Sequence, residues 1–198
     1  ADDSDLERLG QNIDFDDGAA APSFIAAVSP SISILKIKEK TQLKSPLVVK
    51  ISTSGEICAV RLLIDIGSQV EAEIITHIEG DAKWVGILRE GKYGDNAIVN
   101  DVVTQITGER LLRCDALSLG RNAQIKAGTV NASTSQGKID IRHWLSEPGS
   151  SLKINGSILS SNMDHIDSHI EITHSSKETQ SRLEWYAACG GKSNTTGT

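Results

Sequence analysis

The segment LLIDIGSQVEAEI, Leu62 to Ile74, decides the fold, because it returns in altered form as DALSLGRNAQIKA, Asp115 to Ala127. In both, alternating apolar positions lead into a glycine turn and then into a second alternating run, the period of two that places one set of side chains on a buried face. The turn glycines Gly67 and Gly120 lie 53 residues apart, and a weaker copy runs through Gly149, Leu152, Ile154 and Ile158. Strand, tight turn and strand units that recur without a helical pattern between them point to a solenoid, each coil burying one face by stacking on its neighbours. An antiparallel sandwich would also give short strands separated by Gly, Asn and Ser turns, and it stays open at this point.

Working outward, further strand candidates include Ala82 to Leu88, Ala97 to Ile106, Leu111 to Leu119, His169 to Thr173 and Arg182 to Ala188. Arg89 to Asn96, Ser133 to Gly137 and Glu147 to Gly149 read as turns, since charge, Gly and Asn cluster there. A chain of 198 residues that is 38% hydrophobic can bury one continuous core, and with aromatics at 4% that core must be aliphatic. The expected class is therefore all-β, with residues 31–198 as the core domain and residues 1–30 as a flexible acidic leader.

The formal charge of -6 sits in that leader: residues 1–17 carry seven acids against Arg8, and the remainder is balanced. A neutral body offers no basic stripe for phosphate neutralisation, which argues against nucleic acid. Gly18 to Leu35 lacks charge but contains Pro22 and Pro30 and follows acids, so it reads neither as an export signal nor as a membrane span. Cys58, Cys114 and Cys189 are odd in number and form no CxxC pair, which fits a reducing cytoplasm.

Chemistry concentrates between Asn162 and Gly191. His165, His169 and His174 with Asp164 and Asp167 supply nitrogen and oxygen ligands of the kind zinc or iron takes. In a strand Asp167 and His169 share a face, whereas His174, five residues on, points to the other, so a metal would need ligands from another coil or a second chain. Cys189, between Ala188 and Gly190, reads either as a buried small hydrophobe or as a thiol within reach of a partner, with Lys192 the nearby cation that could favour thiolate. Cys58 and Cys114 fall in strand patterns and read as core. No Gly-x-Ser-x-Gly elbow or Walker spacing occurs. Trp84, Trp144, Trp185, Tyr93 and Tyr186 are the only residues besides two Phe that could form aromatic sugar platforms, which keeps a carbohydrate-binding or carbohydrate-active β-helix as the alternative function.

The order Arg61-Leu-Leu-Ile-Asp65, Gly67-Ser-Gln-Val-Glu-Ala72, Asp167-Ser-His169, Ile172-Thr-His174, Ser181-Arg182 and Cys189-Gly-Gly191 resembles the SufB/SufD family, scaffold components of SUF iron–sulfur cluster assembly, over roughly Pro46 to Thr198. The resemblance implies a right-handed parallel β-helix, a SufB–SufD heterodimer and a docked SufC ATPase; in isolation the chain could form a homodimer. It also implies a non-enzymatic scaffold: the chain alone binds no cofactor stably, and an iron–sulfur cluster resides only transiently in the full complex. His169, His174, Cys189 and Asp167 are the candidate metal residues. The Asp-x-His and His step before Ser181 is the SufD-like version. The later cysteine-bearing strands and helices of the family do not follow Thr198, so the polypeptide is expected to be a fragment.

Overall fold

The computed structural model describes residues 7–13, 20–107, 109–132 and 134–198. Among these, one helix, α1 (Ala20–Val28), precedes β1 (Ile32–Ile37), β2 (Leu47–Thr53), β3 (Ile57–Ile66), β4 (Glu71–Gly80) and β5 (Trp84–Tyr93). There follow β6 (Ile98–Thr107), β7 (Arg110–Leu119), β8 (Gln124–Ala132) and β9 (Gln136–Leu145). The last four are β10 (Ser151–Ser160), β11 (His165–His174), β12 (Gln180–Cys189) and β13 (Asn194–Gly197).

Odd and even strands segregate. One sheet runs β1-β3-β5-β7-β9-β11-β13 and the other β12-β10-β8-β6-β4-β2, and every neighbouring pair is parallel. Successive strands thus lie on opposite sheets and each pairs with the strand after next, which makes a β-solenoid of about six coils and removes the sandwich. The register Leu62↔Arg89↔Asp115↔Ile141 advances 26 or 27 residues per coil. The spacing of 53 between Gly67 and Gly120 is therefore two coils, with the intervening copy at Gly94.

The two sheets close on an aliphatic interior built from inward columns such as Leu62, Ile64 and Ile66 of β3 facing Ile74 of β4, all 3% exposed or less. Parallel strands buried on both faces need such residues. The turn after each odd strand repeats one conformation: Gln69, Asn96, Asn122 and Gly149 all have positive φ, between 53° and 74°. Asn122 donates its side-chain amide to Asn96 Oδ1 at 3.3 Å, tying adjacent coils. Immediately before, a Cβ on Gly94 would stand 2.6 Å from the Gly67 carbonyl carbon and from the Ser68 nitrogen. Replacing Gly94 by Ala should push two turns apart and lower the unfolding free energy by about 1–3 kcal/mol in urea titrations; an unchanged midpoint would show that the turns yield without cost.

One expectation needs correcting. Arg89 to Asn96 is no turn over its first half, because β5 continues through Tyr93; Arg89 is 2% and Glu90 1% exposed, charges that are solvated in an ordinary turn and are ion-paired here. Gly91 serves that strand through its φ of 137°, a conformation other residues avoid. Lys192 to Thr198 contains β13, paired with β11.

The expected flexible leader falls partly on residues 1–6 and 14–19, which lie outside the described residues. Within it, α1 packs on the outer face of the odd sheet, where Ile25 (0% exposed) meets Leu88, Cys114 and Ala116. The Gly10 amide donates to Glu90 Oε2 at 2.6 Å and Asn12 Nδ2 to the Gly91 carbonyl at 2.6 Å. The outer face of the odd sheet is apolar at Leu88, Cys114 and Ala116 and offers acceptors at Glu90 and Gly91, so segment 7–13 and α1 form a third layer over it, a pattern too short to read from nine residues of Ala, Pro, Ser, Phe, Ile and Val.

Candidate functional site

The terminal coil carries the residues singled out from sequence. Asp167 and His169 project outward from β11, where Asp167 accepts from Lys138 Nζ at 2.6 Å and His169 lies in register with Asp140. His169 Nδ1 lies 3.2 Å from Thr198 Oγ1 and its Nε2 is 3.7 Å from Glu171. His174 follows the opposite column, in register with the buried Leu145, and its ring nitrogens meet Thr179 Oγ1 at 2.7 Å and Ser181 Oγ at 2.9 Å. The period of two separates the histidines as expected.

Cys189 ends β12 in register with Ser160 and is exposed, against the buried reading. Ser160, one coil earlier in the same column, is 1% exposed because β12 covers it, whereas no strand among the described residues covers Cys189. Its thiol pKa lies below the ordinary value because hydroxyls of Ser160, then Thr195 and Ser193, hydrogen-bond to it, and Lys192 is not among the causes. Cys58 is half-buried and Cys114 buried; burial, then Asp140 and Asp115, pushes the Cys114 thiol up to about 12 and makes it inert. Among the described residues no group of three or more His, Cys, Asp or Glu side chains is arranged to hold a metal ion. His165, His169, His174, Asp167 and Cys189 are thus neighbours on one coil without being one ligand set.

Sequence reasoning missed a second concentration of polar groups, inside the solenoid. From the odd sheet, Arg89, Arg113, Asp115 and His143 point inward; from the even sheet, Asp101 and Thr129 meet them, all 4% exposed or less. Arg89 donates through Nη2 to both oxygens of Asp101 (2.8 and 2.6 Å) and through Nη1 to Asp115 Oδ2 (2.8 Å). Arg113 donates to Asp115 through Nε at 2.9 Å and Nη2 at 2.5 Å, while the Tyr93 hydroxyl donates to Asp101 Oδ2 at 2.5 Å.

Two guanidiniums and two carboxylates cancel in formal charge, which is what permits such burial. Burial opposes ionisation of Asp115, but Arg113 and Arg89 outweigh it and hold the carboxyl at about 2. Burial drives His143 the other way, down to about 4, although Asp115 and Asp101 favour its charged form. The signal available from sequence was Arg89, Asp101, Arg113 and Asp115 at inward-alternating positions of strands, where charge is normally absent.

Among the described residues the aromatics do not gather into a platform. Tyr93 is buried, Trp84 packs edge-on to Phe24 with ring centroids 5.5 Å apart, Trp144 and Trp185 are half-buried, and Tyr186 is exposed. No helix among the described residues is long and apolar enough to cross a membrane.

Comparison with known families gives one finding: the model of the SUF system FeS cluster assembly SufBD core domain matches residues 49–197, which begins inside β2 and ends with β13. Neither the curated proteins nor the solved structures yield a significant match. The matched segment takes in coil after coil of the solenoid and about three-quarters of the sequence, so the chain belongs to the SufBD core domain family of the SUF iron–sulfur cluster assembly system.

Proposed function

We propose that the chain is a SufD-like, non-enzymatic scaffold subunit that pairs with a SufB-like subunit and works with a SufC-like ATPase in the cytoplasm. The observation that carries the reading is the family match laid over an unbroken solenoid. Among the described residues β12 pairs with β10 alone, and its Leu183 and Tyr186 are exposed at 45% and 65%. Asp167, His169, His174 and Cys189 are each tied to local partners and make no complete ligand set among the described residues, so cluster handling at this coil requires donors from outside it. The Asp167-x-His169 and His174 step before Ser181 favours SufD over SufB. The scattered, half-covered aromatics lend no support to the carbohydrate alternative.

Co-expression of the intact gene product with SufB-like and SufC-like subunits should give a stable complex on affinity purification. Anaerobic iron and sulfide analysis should place cluster in that complex and only background iron in the isolated chain. Failure to co-purify either partner would defeat the assignment, and stoichiometric iron in the isolated chain that disappears in His169→Ala or His174→Ala would replace it with a self-contained metal site.

A further inference from the structure

His143 is the one member of the interior cluster with no hydrogen bond at all: it is 2% exposed, and neither ring nitrogen has a partner among the described residues. Arg89, otherwise fully engaged, leaves its Nε–H without an acceptor. Both residues line one cavity of about 10 Å³, together with Asp101, Arg113, Asp115 and Thr129 and the half-buried Ala127 and Gly128. Buried polar atoms of this kind are almost always satisfied, and when no side chain does it an ordered water does.

We propose that this cavity is a binding site for a single internal water molecule, held between Arg89 Nε and the imidazole of His143. The volume admits about one water-sized sphere and no polyatomic ligand. The charges select the ligand further: Arg89 and Arg113 are cancelled by Asp101 and Asp115, so the walls carry no net formal charge to attract an anion or a cation. A water accepts from the Arg89 Nε–H and donates to the unprotonated ring nitrogen of His143, which gives two otherwise unpartnered side chains a hydrogen bond through one molecule. The site lies inside the coils and is independent of the partners proposed above.

A high-resolution crystal structure of the protein should show one water-sized peak within hydrogen-bond distance of both Arg89 Nε and His143. Water relaxation dispersion, which counts long-lived internal waters, should lose one such molecule in His143→Phe, whose ring fills similar space and carries no nitrogen. A dry cavity, an anomalous scatterer at that position, or a dispersion unchanged by the substitution would overturn the proposal. If His143→Phe fails to fold, the density in the parent protein decides alone.

Discussion

Asp101→Ala is expected to lower the unfolding free energy by about 3–5 kcal/mol, the cost of removing one partner from a buried ion pair. Asp101 accepts two bonds from Arg89 and one from Tyr93, all in the interior. Its loss leaves two guanidiniums facing the single carboxylate of Asp115, an uncompensated positive charge at sites 2% exposed or less. Asp101→Asn should fall between parent and Ala, since it keeps one acceptor oxygen but loses the charge and turns the other acceptor into an NH2 donor facing donors. The double variant Arg89→Met/Asp101→Ala should recover most of the loss, because it removes charge from both sides and leaves Arg113 and Asp115 as a matched pair. Urea unfolding of these four proteins and of Arg89→Met alone measures this coupling. A loss below about 1 kcal/mol for Asp101→Ala would mean that water enters the coil and solvates Arg89.

How far this cluster could be foreseen separates two kinds of information in the sequence. The coil was legible at Leu62 to Ile74 because a period of two survives substitution of one aliphatic residue by another, and because Gly67, Gly94 and Gly120 stack where backbones approach too closely for a Cβ. Asn96 and Asn122 announce the left-handed turn position, whereas Gln69 occupies the same position without announcing it. Arg89 and Glu90 misled for a physical reason: a charge followed by glycine is normally a solvated turn, and only pairing with residues one coil away or on the opposite sheet makes burial tolerable. Such partners, 12 to 29 positions distant, leave no local trace. The terminal coil was the reverse case. Strand alternation correctly parted His169 from His174, but exposure of Cys189 depends on its coil having no covering neighbour among the described residues, a tertiary fact that its small flanking residues do not encode.

Stability should also fall as pH drops from about 6.5 to about 4, by roughly 3 kcal/mol attributable to His143. Burial lowers this imidazole from 6.5 to about 4; Asp115 on β7 and Asp101 on β6 pull it upward, and Arg89 on β5 and Arg113 on β7 push it further down. Above about 6.5 neither the folded nor the unfolded chain protonates it, and its contribution is constant. Between the two values the unfolded chain takes up a proton that the folded chain refuses, so acid favours unfolding; below about 4 both are protonated and this contribution levels off. Asp115 acts in a separate, lower window. Its depressed pKa of about 2 stabilises the fold above its ordinary 3.8, and that contribution, on the order of 2 kcal/mol, is lost as pH falls through about 2. The surface carboxylates held below 4.5, Glu79 through Lys50 and Glu184 through Arg182, act from about 4.5 downward and overlap only the lower end of the histidine window. His143→Gln should therefore flatten the pH dependence between about 6.5 and 4.5 while leaving the steeper acid limb in place. Urea midpoints followed across that range for both proteins measure the difference, and equal slopes would show that the interior of the solenoid solvates an imidazolium.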